Sequence, residues 1–259
     1  MMASSSLRVL ESNARAYRRT WKGTVVTAFV NPLLFLLAMG VVLGSLIDRS
    51  GNTGSLGGAS YLDFVAPGLL AATAMQTGAT ESTWPVMAGY KWLKTYHAAL
   101  ATPVRVVDLV TGNLAWIGVR VLMSCAAFAV VTVIFGAISP LEGLVALVPA
   151  LLTGLAFAAP ITAYTASAPN EARLSSLFRF GIIPMFLFSG TFFPIQQLPE
   201  VLRPVAMVTP LWHGVELCRA IALGRSPELP APLHVAYLLV LSGIGFVLAI
   251  RFLRKRLQP

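Results

Sequence analysis

Residues 109–135 read LVTGNLAWIGVRVLMSCAAFAVVTVIF. This run holds a single full charge, Arg120. At 1.5 Å per helical residue it is long enough to cross the ~30 Å hydrocarbon core of a bilayer. A helix that is apolar all round has no water-facing side, so it must be enclosed by lipid or by other helices. The rest of the chain has the same character. Of 259 residues 56% are hydrophobic and only 11% are charged, and the mean hydropathy is +0.76. Soluble domains carry roughly 25% charged residues. The composition excludes an ordinary soluble enzyme and a disordered tail, and it predicts several membrane spans in one bundle.

Working outward from that run, five further apolar stretches reach spanning length. They are 24–46, with Asn31-Pro32 near its start; 64–83, opened by Ala66-Pro67-Gly68 and stopped by Trp84-Pro85; and 144–166, with Pro149 and Pro160. The last two are 174–193, with Arg179 near its start, and 233–252, closed by Arg254-Lys255-Arg256. A loop rich in Gly, Ser and Asn covers 48–60. The segment 194–232 carries seven prolines and two short amphipathic stretches. The expectation is an all-α integral membrane protein, a single transmembrane domain over 1–259. It has six transmembrane helices, an N-terminal interfacial amphipathic helix over 1–22, and short outer helices between spans five and six.

The net charge of +9 raises the question of a nucleic-acid partner. Its distribution gives a simpler answer. Arg8, Arg15, Arg18, Arg19 and Lys22 precede span one; Lys91, Lys94 and Arg105 follow span two; Arg173 and Arg179 follow span four. Arg251, Arg254, Lys255 and Arg256 close the chain. Fourteen of the 19 basic residues thus fall on one side, the positive-inside pattern of a multi-pass protein with both termini cytoplasmic. No nucleic acid is needed.

Several smaller patterns bear on mechanism. Leu7, Leu10, Ala14, Tyr17 and Trp21 recur at steps of three and four, the stripe of an interface helix, although a plain topogenic arm would also be basic. After span two, Leu93, Tyr96, His97 and Leu100 stand at i, i+3, i+4 and i+7, and Thr102-Pro103 ends the stretch. Such a short helix either docks a cytoplasmic partner or packs on the bundle. Arg120 is a charge well inside a span; it either pairs, with Glu81 as the candidate partner, or snorkels to the inner interface. His213 and Glu216 have half a metal-site spacing without further ligands, so His213 reads as a surface histidine, and His97 and His234 lie near interfaces. Cys125 and Cys218 belong to no CxxC or His/Cys cluster. Leu241-Ser242-Gly243-Ile244-Gly245 reads as small residues for helix packing. No GxxxxGK[ST] occurs, so the chain has no phosphate loop of its own. No catalytic, cofactor or metal residues are assigned.

Two longer stretches carry a family likeness: YHAALATPVRVVDLVTGNLAW at 96–116 and FSGTFFPIQQLPEVLRPVAMVTPLWHGVELCRAIALG at 188–224. With NPLLFLLAMGVVLG at 31–44 and YLDFVAPGLLA at 61–71, the chain resembles the membrane subunits of type-2 ABC exporters. The likeness is strongest to the nodulation-factor and daunorubicin exporter permeases. The resemblance implies a permease dimer, with a second copy or a paralogue, joined by two ATPase subunits that bind ATP and Mg. It implies that the loop helix, Leu93, Tyr96, His97 and Leu100 with Thr102 and Pro103, couples to the ATPase. It points to Met75, Gln76 and Ala79 in span two, and to Phe188, Phe192 and Phe193 in span five with Pro194 just after it, as transport path and outer gate. The implied substrate is an amphiphilic drug, lipid or glycolipid, moved out across a bacterial cytoplasmic membrane. An intramembrane lipid-modifying enzyme would need clustered inward acids or histidines, which are absent. An ion-coupled secondary transporter would need related halves, and no internal repeat is visible.

Overall fold

The computed structural model describes residues 2–19, 21, 30, 33–45 and 59–258. The regular structure of these residues is helical, with no strand among them. Helix α1 covers Met2–Tyr17, and α2 is a π-helical segment, Leu36–Leu43. Helix α3 runs Tyr61–Met87 and leaves through a π turn, Ala88–Trp92. A short α4, Thr95–Leu100, leads into α5, Val106–Ile134, and α6, Pro140–Ser167. Helix α7 starts at Ala172–Leu177, passes a π turn at Phe178–Ile182 and ends with Ile183–Phe188. Two shorter helices, α8 (Arg203–Val208) and α9 (Pro210–Leu223), precede α10, Ala231–Leu257.

By length and composition α5, α6 and α10 can cross a membrane. Helix α3 is as long, but Gln76, Thr77, Thr80, Glu81, Ser82 and Thr83 make its second half polar. In the stretch 24–46, residues 24–29, Asn31-Pro32 and 46 lie outside the described residues, as do Lys22 and most of the 48–60 loop. In the stretch 174–193 the helix stops at Phe188, and Gly190 turns the chain at φ +80°, a conformation glycine adopts without a Cβ penalty.

Helix α6 is the hub, packing on α10, α3, α5 and α9. Between apolar helices in lipid the hydrophobic effect supplies little, so close approach of backbones through small residues does the work. A Cβ added at Gly78 of α3 would collide with the Gly154 carbonyl oxygen of α6. One added at Gly154 would lie 2.6 Å from Val121 Cγ1 of α5. Gly214 of α9 rests against Thr153, and Gly245 of α10 against the Pro160 backbone. The helix starts are defined locally. Ser139 and Glu142 cap α6 reciprocally: the Glu142 amide donates to Ser139 Oγ at 3.3 Å, and the Ser139 amide to Glu142 Oε2 at 2.9 Å. Thr209 caps α9 by accepting from the Trp212 amide.

Candidate functional site

The loop between α3 and α5 is built on a reversal at Lys94, whose φ of 52° is left-handed. That turn takes Leu93 out of α4, so the four-residue face read from periodicity is not one face. Tyr96 and Leu100 turn inward and are half-buried, with the Tyr96 ring 2.6 Å from where a Gly89 Cβ would stand. Burial, with Tyr90 beside it, raises the Tyr96 phenol. Leu93 (71% exposed) and His97 face outward, as do Thr102, Pro103 and Trp92. Trp92 was not among the expected residues; its signal is an aromatic between Lys91 and Lys94 at a loop tip.

Beneath the tip, three helices brace the loop. The Tyr90 hydroxyl donates to the Thr165 carbonyl at 2.9 Å, and the Thr165 hydroxyl to the Ser82 carbonyl at 2.9 Å. The Arg256 guanidinium lies 4.8 Å over the Tyr90 ring. Lys91 Nζ meets Glu171 Oε1 at 2.6 Å, and this bond holds the Glu171 carboxyl below its usual range.

Arg120 and Glu81 come together in the bundle, Arg120 Nε donating to Glu81 Oε1 at 2.9 Å. The Arg120 guanidinium also stands 4.4 Å over the Tyr17 ring, which meets Trp116 edge-on at 5.6 Å. Tyr17 belongs to α1, which packs along α5. Ser6, Val9, Leu10, Asn13 and Tyr17 are part-buried, and a Cβ at Gly112 would lie 2.6 Å from the Ser6 carbonyl oxygen. Leu7 and Trp21 are exposed, so the apolar stripe read from α1 is divided between α5 and the surroundings.

The residues expected to line the path are divided too. Met75 and Ala79 are fully buried in the protomer's own core. Gln76, Thr80 and Trp84, four residues apart, form the exposed face of α3. Phe188 is exposed, Phe193 and Pro194 are half-buried, and Phe192 is buried. Phe192 meets Phe186 at 5.0 Å and Phe35 at 6.0 Å between ring centroids, a cluster of which the sequence pattern showed one member.

The segment between α7 and α10 is fastened by Arg219 of α9. Arg219 donates to the Gly190 carbonyl at 2.8 Å, lies 3.8 Å over the Phe64 ring and stands 3.7 Å from Glu216. Burial lowers its pKa to about 10, opposed by Glu216. His213 is not a surface residue: it and His234 are buried, their Nδ1 atoms 2.8 Å apart, with Tyr237 stacked on His213 at 4.0 Å. The two residues are 21 positions apart, and only the α9–α10 packing joins them. Among the described residues no group of three or more His, Cys, Asp or Glu could hold a metal.

Residues 7–223, from α1 through the end of α9, match the family model described as ABC-2 type transporter. The chain belongs to the ABC-2 type transporter family. This ABC-2 permease is 31% identical over 253 residues to nodulation protein J of Rhizobium meliloti (strain 1021), covering 98% of this chain and 94% of the relative. It is 32% identical over 251 residues to nodulation protein J of Rhizobium leguminosarum bv. trifolii, covering 97% and 93%. The protein of that name from Bradyrhizobium diazoefficiens is 28% identical over 249 residues, covering 96% and 92%. Membership makes this permease a membrane-embedded transport component, and it implies ATPase partner subunits.

Proposed function

We propose that this chain is the permease subunit of an ATP-driven exporter. Two permease copies, or one and a paralogue, form the path in the bacterial cytoplasmic membrane with both termini cytoplasmic, and two separate ATPase subunits hold ATP and Mg. The cargo is an amphiphilic drug, lipid or glycolipid. The observation that carries this is the loop tip. Trp92, Leu93 and His97 are exposed while Tyr96 and Leu100 anchor the same loop to the bundle. An exposed apolar tip on a braced base can enter a partner's groove and pass force inward without collapsing. The path side has an amphiphile's chemistry: Gln76 and Thr80 exposed on α3, and Phe180, Ile183, Leu187 and Phe188 exposed on α7.

Leu93→Glu tests this directly. Leu93 is exposed, so the fold tolerates the carboxylate, but in a docking groove the charge is desolvated without a partner at a cost of about 2–5 kcal/mol. The expected result is an unchanged thermal midpoint with loss of ATPase co-purification and of substrate-stimulated ATP hydrolysis. A variant that still binds its ATPase and transports at the wild-type rate overturns the coupling assignment.

A further inference from the structure

A trench of about 600 Å³ runs down the membrane-facing junction of α5, α6 and α10, lined by Leu122, Leu151, Leu155, Gly243 and Phe246. It shares Thr111 and Ala115 with a second cavity of about 610 Å³ between α1 and α5, whose lining adds Ser6, Arg105 and Asp108. The two form one groove, apolar along its length, with the Arg105–Asp108 pair at the end where α5 begins. Ser242 does not change that character, because its hydroxyl is spent on the Leu238 carbonyl at 2.8 Å.

We infer that this groove is a binding site for one phospholipid, an acyl chain in the trench and the phosphate at its Arg105 mouth. Three observations select that occupant. The trench lies on the three helices that are long and apolar enough to cross a membrane. From Thr111 to Leu122 it follows α5 for about 17 Å, close to the roughly 15 Å of hydrocarbon in one leaflet. Its mouth holds the Arg105 guanidinium, 54% exposed and joined through Nε to Asp108 Oδ2 at 3.2 Å, with Arg8 exposed between the lining residues Leu7 and Leu10 of α1. The glycines of α10 add a detail. Gly245 is explained by its contact with Pro160, whereas a Cβ added at Gly243 would meet nothing within 4 Å. Helix packing accounts for the first glycine and leaves the second as an open notch in the trench wall. A lipid here touches α5, α6 and α10 and reaches α1, so it fastens the N-terminal helix to the bundle.

Native mass spectrometry of the full-length permease with dioleoyl phosphatidylglycerol tests this. Wild type is expected to retain one phospholipid per chain through delipidation. Gly243→Phe fills the notch without meeting protein atoms and should lower retention by roughly tenfold, about 1.4 kcal/mol, with helix content unchanged. Arg105→Gln should weaken phosphatidylglycerol retention and leave dioleoylglycerol, which has no phosphate, unaffected. A wild-type readout covers the case in which Gly243→Phe misfolds: a phosphatidylglycerol with a diazirine on its acyl chain should place adducts on Leu122, Leu151 and Phe246. Adducts spread evenly over the exposed helix faces, equal retention by Gly243→Phe, or cross-links from the trench to a second permease copy would each overturn the proposal.

Discussion

The two sides of this bundle are made differently. On one side α5, α6 and α10 are uninterrupted helices of 29, 28 and 27 residues, and α3 and α10 approach the α6 backbone through Gly78 and Gly245. On the other side α2 is π-helical and α7 carries a π turn in its middle. Helix α7 reaches the core mainly through Leu174 and Ile182, while Phe180, Ile183, Leu187 and Phe188 stay uncovered. π turns recur where helices must change shape, and close-packed small-residue contacts where they must not. On the function proposed above, the first side is the frame and the second is the moving wall of the path. The contrast teaches that rigidity here comes from missing side chains, and mobility from an extra backbone residue per turn.

The largest stability effect is expected at the frame contact between α3 and α6. Gly78→Val places branched carbons against the Gly154 backbone, which has no rotamer with which to yield. Overpacking of this kind costs about 3 kcal/mol, against less than about 1 kcal/mol for Phe188→Ala on the open side. Thermal unfolding of the detergent-purified chain checks both. Equal losses at the two positions would erase the distinction between frame and wall.

Next comes the ion pair that ties α5 to α3. Glu81→Gln leaves Arg120 part-buried over Tyr17 without its carboxylate, a loss of about 2–4 kcal/mol. Pairing Glu81→Gln with Arg120→Leu should recover about half of that, because the orphaned charge is gone. A double-mutant cycle on the thermal midpoint measures the coupling. Additive losses would mean that the two side chains are neighbours without an energetic bond.

A smaller effect is expected from pH where α9 packs on α10. Burial, reinforced by His234, pushes the His213 pKa down from 6.5 to about 4. The unfolded chain therefore binds a proton between those values and the folded chain does not. Stability contributed at His213 is complete above pH 6.5, falls by about 2 kcal/mol as pH drops to 5, and levels out below pH 4. Glu228, raised by burial and by Glu216, has the opposite sign. The difference between wild type and His213→Gln isolates the histidine, since Gln keeps a hydrogen bond to His234. Parallel stability profiles from pH 7 to pH 4 would remove His213 from the account.

How far the sequence reached depended on whether a feature is local. Helices α5, α6 and α10 were legible because uninterrupted apolar length is a property of one segment. Arg120 and Glu81 stood out as lone charges in apolar runs, and their partners follow from packing. The rest depends on pairing or on backbone conformation. Lys94 adopts a left-handed turn with no glycine to signal it, so periodicity carried Leu93 onto a helix it does not join. Met75 and Ala79 differ from Gln76 only by which side of α3 faces α6, and the nearly even polarity of that helix does not say. The His213–His234 pair and the Arg219 clamp on Gly190 span 21 and 29 residues, beyond any spacing rule.

The smallest effect is expected at Lys91, which links the two sides. Lys91 stands at the end of α3 and meets Glu171 just before α7, so the pair bridges the frame to the wall across a short, strong-looking contact of 2.6 Å. Geometry favours it; solvent does not. The two side chains are 36% and 40% exposed, so water and salt screen the attraction, and ordering two flexible side chains offsets what is left. Glu171 has its carboxyl lowered by this bond, a contribution present at neutral pH and lost in acid, but screening at so exposed a pair leaves it small. Lys91→Ala should therefore leave the thermal midpoint unchanged within error, at low and at high salt alike. The loop base keeps its buried fastenings, the Tyr90 hydroxyl on Thr165 and Arg256 over the Tyr90 ring. A clear loss of stability in Lys91→Ala, larger at low salt, would show that α7 is held to the frame electrostatically, and the loose wall would have to be redrawn as part of the rigid side.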